Sequence, residues 1–255
     1  MTRDGKKVLV TGASSGIGAA VAERSTGSAV TTTGSGGGCA EMTVRRPVLP
    51  RDDLRTRLVD GAGRIFYRDG IAATGTAGLA RELGMSKRTM YELFPTKDEL
   101  VAAALDAQDG PVRARLIAAA ELAGEDPRQQ LIGLFAGVEA LTGDGDFRGC
   151  PFLNATAELA DPAHPAHAVC RRHKDGLRTW MERAARSAGL NCPEELSEQL
   201  LVLLDGALAG AVTRPLRQGQ LIRAARTLVD AATPNPPRTT APQGEPVDRI
   251  AQHDG

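Results

Sequence analysis

Aromatic residues are scarce in this 255-residue chain, with one Trp, two Tyr and five Phe making up 3% of the whole. A β-sandwich or barrel draws on aromatic and β-branched side chains for its strands, whereas the wealth of Ala, Leu and Arg here favours helices. A run of about 18 apolar residues is also missing, so no membrane-spanning helix and no membrane partner are expected. The start, MTRDGKKVLV, leads into a glycine turn instead of the apolar stretch and cleavage site of an export signal, and a cytoplasmic location is expected. The four cysteines, Cys39, Cys150, Cys170 and Cys192, contain no CxxC pair and are too few for a disulfide framework, which leaves reduced thiols, some of them buried.

Net charge is absent as well, 31 basic residues balancing 31 acidic ones. The balance is not uniform along the chain. Residues 1–44 hold 4 basic and 3 acidic residues, 45–100 hold 11 and 8, and 101–255 hold 16 and 20. The middle segment permits contact with a polyanion, but the excess is too small to establish it, and residue spacing must decide.

At the front, Lys7-Val8-Leu9-Val10 reads as a short strand that enters Thr11-Gly12-Ala13-Ser14-Ser15-Gly16-Ile17-Gly18 and a brief helix from Ala19 to Arg24. Glycines at such a turn let the backbone approach a pyrophosphate at a helix N-terminus. This octet resembles the cofactor turn of short-chain dehydrogenases over about residues 7–33. The likeness stops at Thr31-Thr32-Thr33-Gly34-Ser35-Gly36-Gly37-Gly38, a flexible low-complexity segment. A lone βα unit cannot bury both faces of its strand. The catalytic pair of that family, a Tyr with a Lys four positions later, is absent, because Ile71 and Pro95 stand four positions after Tyr67 and Tyr91. No enzymatic activity and no cofactor are expected. Met42 precedes the first well-patterned helix, and residues 1–41 are expected to be dispensable for folding.

After Pro47 and Pro50, Asp52 or Asp53 is expected to cap a helix with Leu54, Leu58, Ala62, Ile65 and Phe66 at helical spacing, stopped by Gly70. Thr74 is the expected cap of a second helix, Gly75 to Leu83, and Gly84-Met85 makes a tight turn. Ser86 is expected to cap a third helix over Lys87-Arg88-Thr89-Met90-Tyr91-Glu92-Leu93-Phe94, ended by Pro95. Met90, Leu93 and Phe94 then face inward, and Lys87, Arg88, Thr89 and Tyr91 outward. Two short helices around a glycine turn, the second with a basic and hydroxylated outer face, suit insertion into a major groove. The same spacing also fits a solvated basic helix in an ordinary bundle.

The stretches Phe66-Tyr67-Arg68-Asp69-Gly70, Thr74-Gly75, Leu79-Ala80, Gly84-Met85-Ser86-Lys87-Arg88-Thr89-Met90-Tyr91 and Phe94-Pro95-Thr96-Lys97-Asp98-Glu99-Leu100 resemble, in register, the signature of the TetR family of transcriptional regulators. The resemblance implies an all-α protein, a helix-turn-helix unit with a helical ligand-binding and dimerisation domain behind it. It carries Thr74, Tyr91 and Lys97 to DNA phosphates and Ser86, Lys87, Arg88 and Thr89 towards bases. Gly78 departs from the family, where a basic side chain often stands.

Further helices are expected from Lys97 to about Ala107, then over Pro111–Leu122, Pro127–Leu141, Pro151–Leu159, Pro165–Ala188, Pro193–Val212 and Pro215–Ala232, several opening on a proline suited to a first turn. Gly149-Cys150-Pro151-Phe152-Leu153-Asn154 resembles one branch of the same family and extends the likeness over residues 50–232. The resemblance implies a small-molecule effector inside these helices, and Phe135, Phe152, Asn154, His173 and Trp180 are its expected lining. Leu196, Leu200, Leu203, Leu204, Ala207 and Leu208, with Leu221, Ile222, Ala225, Leu228 and Val229, give the last two helices apolar faces that could pair with those of a second copy. A two-fold homodimer predicts a palindromic double-stranded DNA operator.

His164, His167, Cys170 and His173 recur every third residue, but that spacing drifts half a turn around a helix, so no metal site is expected. The expected organisation is a non-functional fragment and linker at 1–44, the helix-turn-helix domain at 45–105, the ligand-binding and dimerisation domain at 106–232, and a disordered tail at 233–255. Repression relieved by an effector is the expected activity, with an oxidoreductase or a helical scaffold that never touches DNA as alternatives.

Overall fold

The computed structural model describes residues 50–234. The βα-like fragment, its glycine linker and the tail from 235 onward lie outside the described residues. Among the described residues there are nine helices and no strand: α1 (Arg51–Asp69), α2 (Thr76–Leu83), α3 (Lys87–Leu93), α4 (Lys97–Glu121), α5 (Pro127–Thr142), α6 (Pro151–Glu158), α7 (Pro165–Ser187), α8 (Pro193–Gly210) and α9 (Gln220–Ala231). None of these helices is long and apolar enough to cross a membrane.

The first three helices close over one small core. Leu58, Ala62, Ile65 and Phe66 of α1 are buried with Leu79 and Leu83 of α2, Met90 of α3, Phe94 and the first turns of α4. Gly61 leaves room for Leu83 where α2 crosses α1, since a Cβ there would stand 2.4 Å from a Leu83 methyl and would oblige that side chain to shift. Gly84 ends α2 in the left-handed region at φ 62, its N–H returning to the Ala80 and Arg81 carbonyls.

Two expected caps are corrected. The N-cap of α1 is Pro50, and Asp52 and Asp53 lie in the first turn, where their charge suits the helix dipole. Thr74 does not cap α2, because its hydroxyl donates to the Gly70 carbonyl at 2.6 Å; Gly75 takes the position and the helix starts at Thr76. Ser86 does cap α3, its Oγ accepting from the Thr89 N–H at 3.0 Å.

The expected break before Pro111 does not occur. α4 runs through the proline without interruption, across the expected domain boundary at 105–106, so the two units share a helix. A proline inside a helix costs about 3 kcal/mol. Packing on both sides of it outweighs that cost, with Ala104 and Leu105 buried before Pro111 and Leu116 and Ala120 buried after it. α5 and α7 pack against this second half of α4, and α8 packs in turn on α7 and α5; together they supply Leu131, Leu134, Phe135, Leu177, Met181, Leu200 and Leu204 to the larger core.

The last helix also begins later than expected, at Gln220 instead of Pro215. The cause is a carboxylate from elsewhere in the chain. Glu139 of α5 accepts from the N–H groups of Gly219 at 2.7 Å, Leu221 at 2.8 Å and Ile222 at 3.3 Å, and this bond set fixes the first turn of α9. The leucine face expected to meet a second copy is used within the chain, since Leu196, Leu200, Leu204, Ala207 and Leu208 are buried in the core. The outer face of α8 instead carries Val202, 73% exposed, and Gly206, beside which a Cβ would meet nothing within 4 Å.

Candidate nucleic-acid interface

α3 stands on its buried residue Met90, with Phe94 beneath its C-terminal end, and presents Lys87, Arg88, Tyr91 and Glu92 to solvent. Thr89 is half-buried and Leu93 only partly covered. The Ser86 and Thr89 hydroxyl oxygens lie 2.8 Å apart at the start of the helix, and those of Thr76 and Tyr91 lie 3.4 Å apart across α2 and α3. Lys87, Arg88 and Tyr91 lie outward as the spacing predicts, Thr89 is less exposed than expected, and the acidic Glu92 interrupts the basic face.

Three arginines of α1 hold this surface in place, and sequence reasoning did not single them out. Arg51 donates to the Glu92 carbonyl at the end of α3 at 3.0 Å, and Arg57 to the Leu83 carbonyl at the end of α2 at 2.9 Å. The guanidinium of Arg55 lies 4.5 Å from the centre of the Phe94 ring. Each cation meets the carbonyl end of a helix or an aromatic face, where positive charge is favoured. Their clustering within the first two turns of α1 was the available signal.

Lys97 opens α4, and its ammonium donates to the Ile71 carbonyl at 2.5 Å in the turn between α1 and α2. Two of its three protons remain for another acceptor. Thr74, expected at a phosphate, is buried with its hydroxyl proton on Gly70. Thr76 of α2, whose hydroxyl lies 3.4 Å from that of Tyr91 on α3, offers the more open hydroxyl on this surface.

Both ends of the short helix α6 grip the helix-turn-helix unit. Before its N-terminus, the Arg148 N–H donates to the Tyr67 hydroxyl at 2.8 Å, that hydroxyl donates to the Gly149 carbonyl at 3.1 Å, and the Arg148 guanidinium reaches the Arg68 carbonyl. Burial pushes the Tyr67 pKa up, so the phenol stays protonated and can donate. At the other end, Glu158 accepts from the Ala72 N–H at 2.9 Å. Between the two grips lies a crevice of about 40 Å³ bordered by Tyr67, Gln108, Arg148, Asn154 and Glu158.

Of the five residues expected to line an effector site, only Asn154 borders this crevice, and its amide donates to the Arg148 carbonyl at 2.8 Å. Phe135 is buried in the core on α5, and Trp180 is half-buried on α7. Phe152 and His173 are brought together, their rings stacked with centroids 3.7 Å apart at 11°. His173 Nδ1 lies 2.8 Å from the Asp109 carboxylate, to which Arg113 also comes within 3.4 Å. The histidines and cysteine at every third position point to different partners: His164 Nδ1 accepts from the Ala166 N–H at 3.1 Å, and His167 Nε2 lies 3.0 Å from the Leu159 carbonyl.

Burial pushes the His173 pKa below its ordinary 6.5, against the opposing pull of the Asp109 bond. A folded-state pKa below the unfolded one means that the folded form holds fewer protons in that window. The stability from this group is therefore present above about pH 6.5 and is lost as pH falls through the folded value. Melting temperature followed from pH 8 to 5 should fall on the acid side, and His173→Gln, which can still bond Asp109, should show a flatter profile. Parallel profiles would remove His173 as the cause.

These features define a helix-turn-helix protein whose DNA-reading unit is fused through a shared helix to a larger helical body. Residues 58–104 match the family described as bacterial regulatory proteins, tetR family. A TetR transcriptional regulator from Streptomyces avermitilis, known from its crystal structure, is 37% identical, with a TM-score of 0.65 over 70% of this chain and 97% of that one. A TetR-family regulator from Streptomyces coelicolor is 28% identical, with a TM-score of 0.60 over 71% of this chain and 94% of that one. The uncharacterized HTH-type regulator YxaF of Bacillus subtilis is 27% identical over 64% of this chain and 84% of its own length. The chain belongs to the TetR family and is a DNA-binding transcriptional regulator.

Proposed function

We propose that the chain acts in the cytoplasm as a homodimeric repressor that binds a palindromic operator and releases it when a small molecule enters the helical body. The observation that carries this reading is the outward face of α3, where Lys87, Arg88 and Tyr91 stand exposed on a helix capped by Ser86 and seated on Met90 and Phe94. Lys87, Arg88, Ser86 and Thr89 face the bases, and Tyr91, Thr76 and the remaining protons of Lys97 meet phosphates. Thr74 is withdrawn from that set, because its hydroxyl proton is committed inside the fold. The proposal includes no catalytic step.

The second copy is proposed to pack on the outer face of α8, where Val202 is exposed and Gly206 leaves room for a close helix approach. The effector is proposed to enter at the Phe152–His173 stack, which joins α6 to α7 beside a buried carboxylate. Displacing Phe152 would move α6 and strain the bonds through which it grips Tyr67, Arg68 and Ala72. By linkage, DNA must weaken effector binding by the same factor by which the effector weakens DNA binding.

Two variants test the assignment to DNA. Arg88→Ala should weaken binding to the operator about ten- to a hundredfold and relax preference at particular base pairs. Lys97→Ala should weaken operator and scrambled duplexes alike and lower the salt slope by about 1 for each phosphate that is no longer neutralised. Fluorescence anisotropy across a salt series, on duplexes selected from a random library, measures both, with circular dichroism as the folding control. If both variants bind like the parent, α3 is not in the groove.

A further inference from the structure

The recognition face carries one acidic residue to which the proposed DNA contacts give no role. Glu92 stands one turn after Arg88, and its carboxylate accepts from the Arg88 Nε–H at 2.7 Å, both side chains being largely exposed. Helix stability does not explain the pair. An exposed ion pair contributes little, and a basic residue N-terminal to an acidic one is the weaker orientation for a pair one turn apart. Simple attraction to DNA does not explain it either, because a carboxylate on a surface that meets phosphates opposes binding.

The geometry of the bond offers a reason. Glu92 engages the guanidinium through Nε, on its side edge, and does not engage the far edge that carries Nη1 and Nη2. That far edge has two parallel N–H donors, which match the O6 and N7 acceptors that guanine presents in the major groove. Unsupported, the long Arg88 side chain would sample many orientations and could equally meet a phosphate. Glu92 is itself held, since its backbone carbonyl accepts from Arg51 at 3.0 Å and ties the end of α3 to α1. The bond to Glu92 also holds the Arg88 guanidinium above its ordinary pKa.

We propose that Glu92 is a specificity-determining residue, which orients Arg88 for a guanine and discourages its use on phosphates, so that general affinity for DNA is exchanged for base preference. This rests on the assignment of α3 to the major groove, and the test separates the two.

The full chain is compared with Glu92→Ala, Glu92→Gln, Arg88→Ala and the Arg88→Ala/Glu92→Ala double variant on selected operator duplexes, on duplexes with each base pair substituted in turn, and on a scrambled duplex. Arg88→Ala should abolish preference at one base pair per half-site. Glu92→Ala should lower preference at that same base pair about tenfold while raising affinity for the scrambled duplex about two- to fivefold. Glu92→Gln keeps an acceptor oxygen without the charge, so it should share the gain on scrambled DNA yet retain more of the preference; it also carries the test should Glu92→Ala fail to fold. The double variant should show no relaxation beyond that of Arg88→Ala. If Arg88→Ala relaxes one position and the Glu92 variants leave it intact, or relax a different one, Glu92 does not orient Arg88. If the Glu92 variants tighten operator and scrambled DNA equally with the base profile unchanged, the carboxylate is only a repulsive charge and the proposal is overturned. If Arg88→Ala changes no base preference, the groove assignment falls and the role of Glu92 falls with it.

Discussion

If the protein pairs through the proposed face of α8, replacing Gly206 with arginine is expected to leave monomers and to lower operator affinity by at least about a hundredfold, the order of effect when two linked sites become one. Gly206 lies in the interior of α8 on its outer face, one turn after Val202, and a Cβ there meets nothing within 4 Å inside the protomer. A larger side chain is therefore accommodated by the isolated fold, and leaving glycine gains up to about 1 kcal/mol of helix propensity. A charged chain in a close helix–helix contact would meet the opposite outcome, steric overlap and an unpaired charge. Light scattering reports the mass, and anisotropy on full and half operators reports the affinity. A variant that remains dimeric and binds like the parent would move the interface elsewhere.

Phe152→Ala should be the most damaging truncation in the helical body, at about 3 to 5 kcal/mol. The ring is fully buried and stacks on His173, so its removal leaves a void and uncovers the buried Asp109–His173 pair. Melting temperature, taken at fixed protein concentration, should fall by about 10 °C, given roughly 2 to 4 °C per kcal/mol for a domain of this size. Phe152→Leu, which refills much of the space, should cost less. A change under about 1 kcal/mol for Phe152→Ala would mean that α6 is packed against α7 in some other way.

The helix-turn-helix unit was legible because its signals are local. Ser86 caps within its own turn, Gly84 closes α2 through its left-handed backbone, and Met90 and Phe94 mark an inner face that leaves Lys87, Arg88 and Tyr91 outside. Most of what escaped the sequence was decided by groups distant along the chain, Thr74 being the local exception. The start of α9 depends on Glu139, which no window around Pro215 contains. Thr74 fits an N-cap by type, but the Gly70 carbonyl takes its hydroxyl. Pro111 reads as a break, and only packing from α5 and α7 carries α4 through it. The leucines of α8 show an apolar face without showing whether that face meets its own core or another copy. Phe135, Phe152, His173 and Trp180 are side-chain types suited to lining an effector site, yet Phe152 and His173 fill their shared space with each other.

The double grip on α6 has a mechanical consequence. A helix of eight residues is about 12 Å long, so pivoting it by about 5° about one end carries the other through about 1 Å. Hydrogen bonds of 2.8 to 3.1 Å, such as those from Arg148 and Tyr67, are lost within a displacement of that size. The helix therefore behaves as a bar bolted at both ends, which resists small loads and then comes free at one end when a threshold is passed. A regulator built on it should answer its signal with a step between two gene-expression levels within each molecule, the graded output of a cell arising only from the fraction of molecules that have stepped.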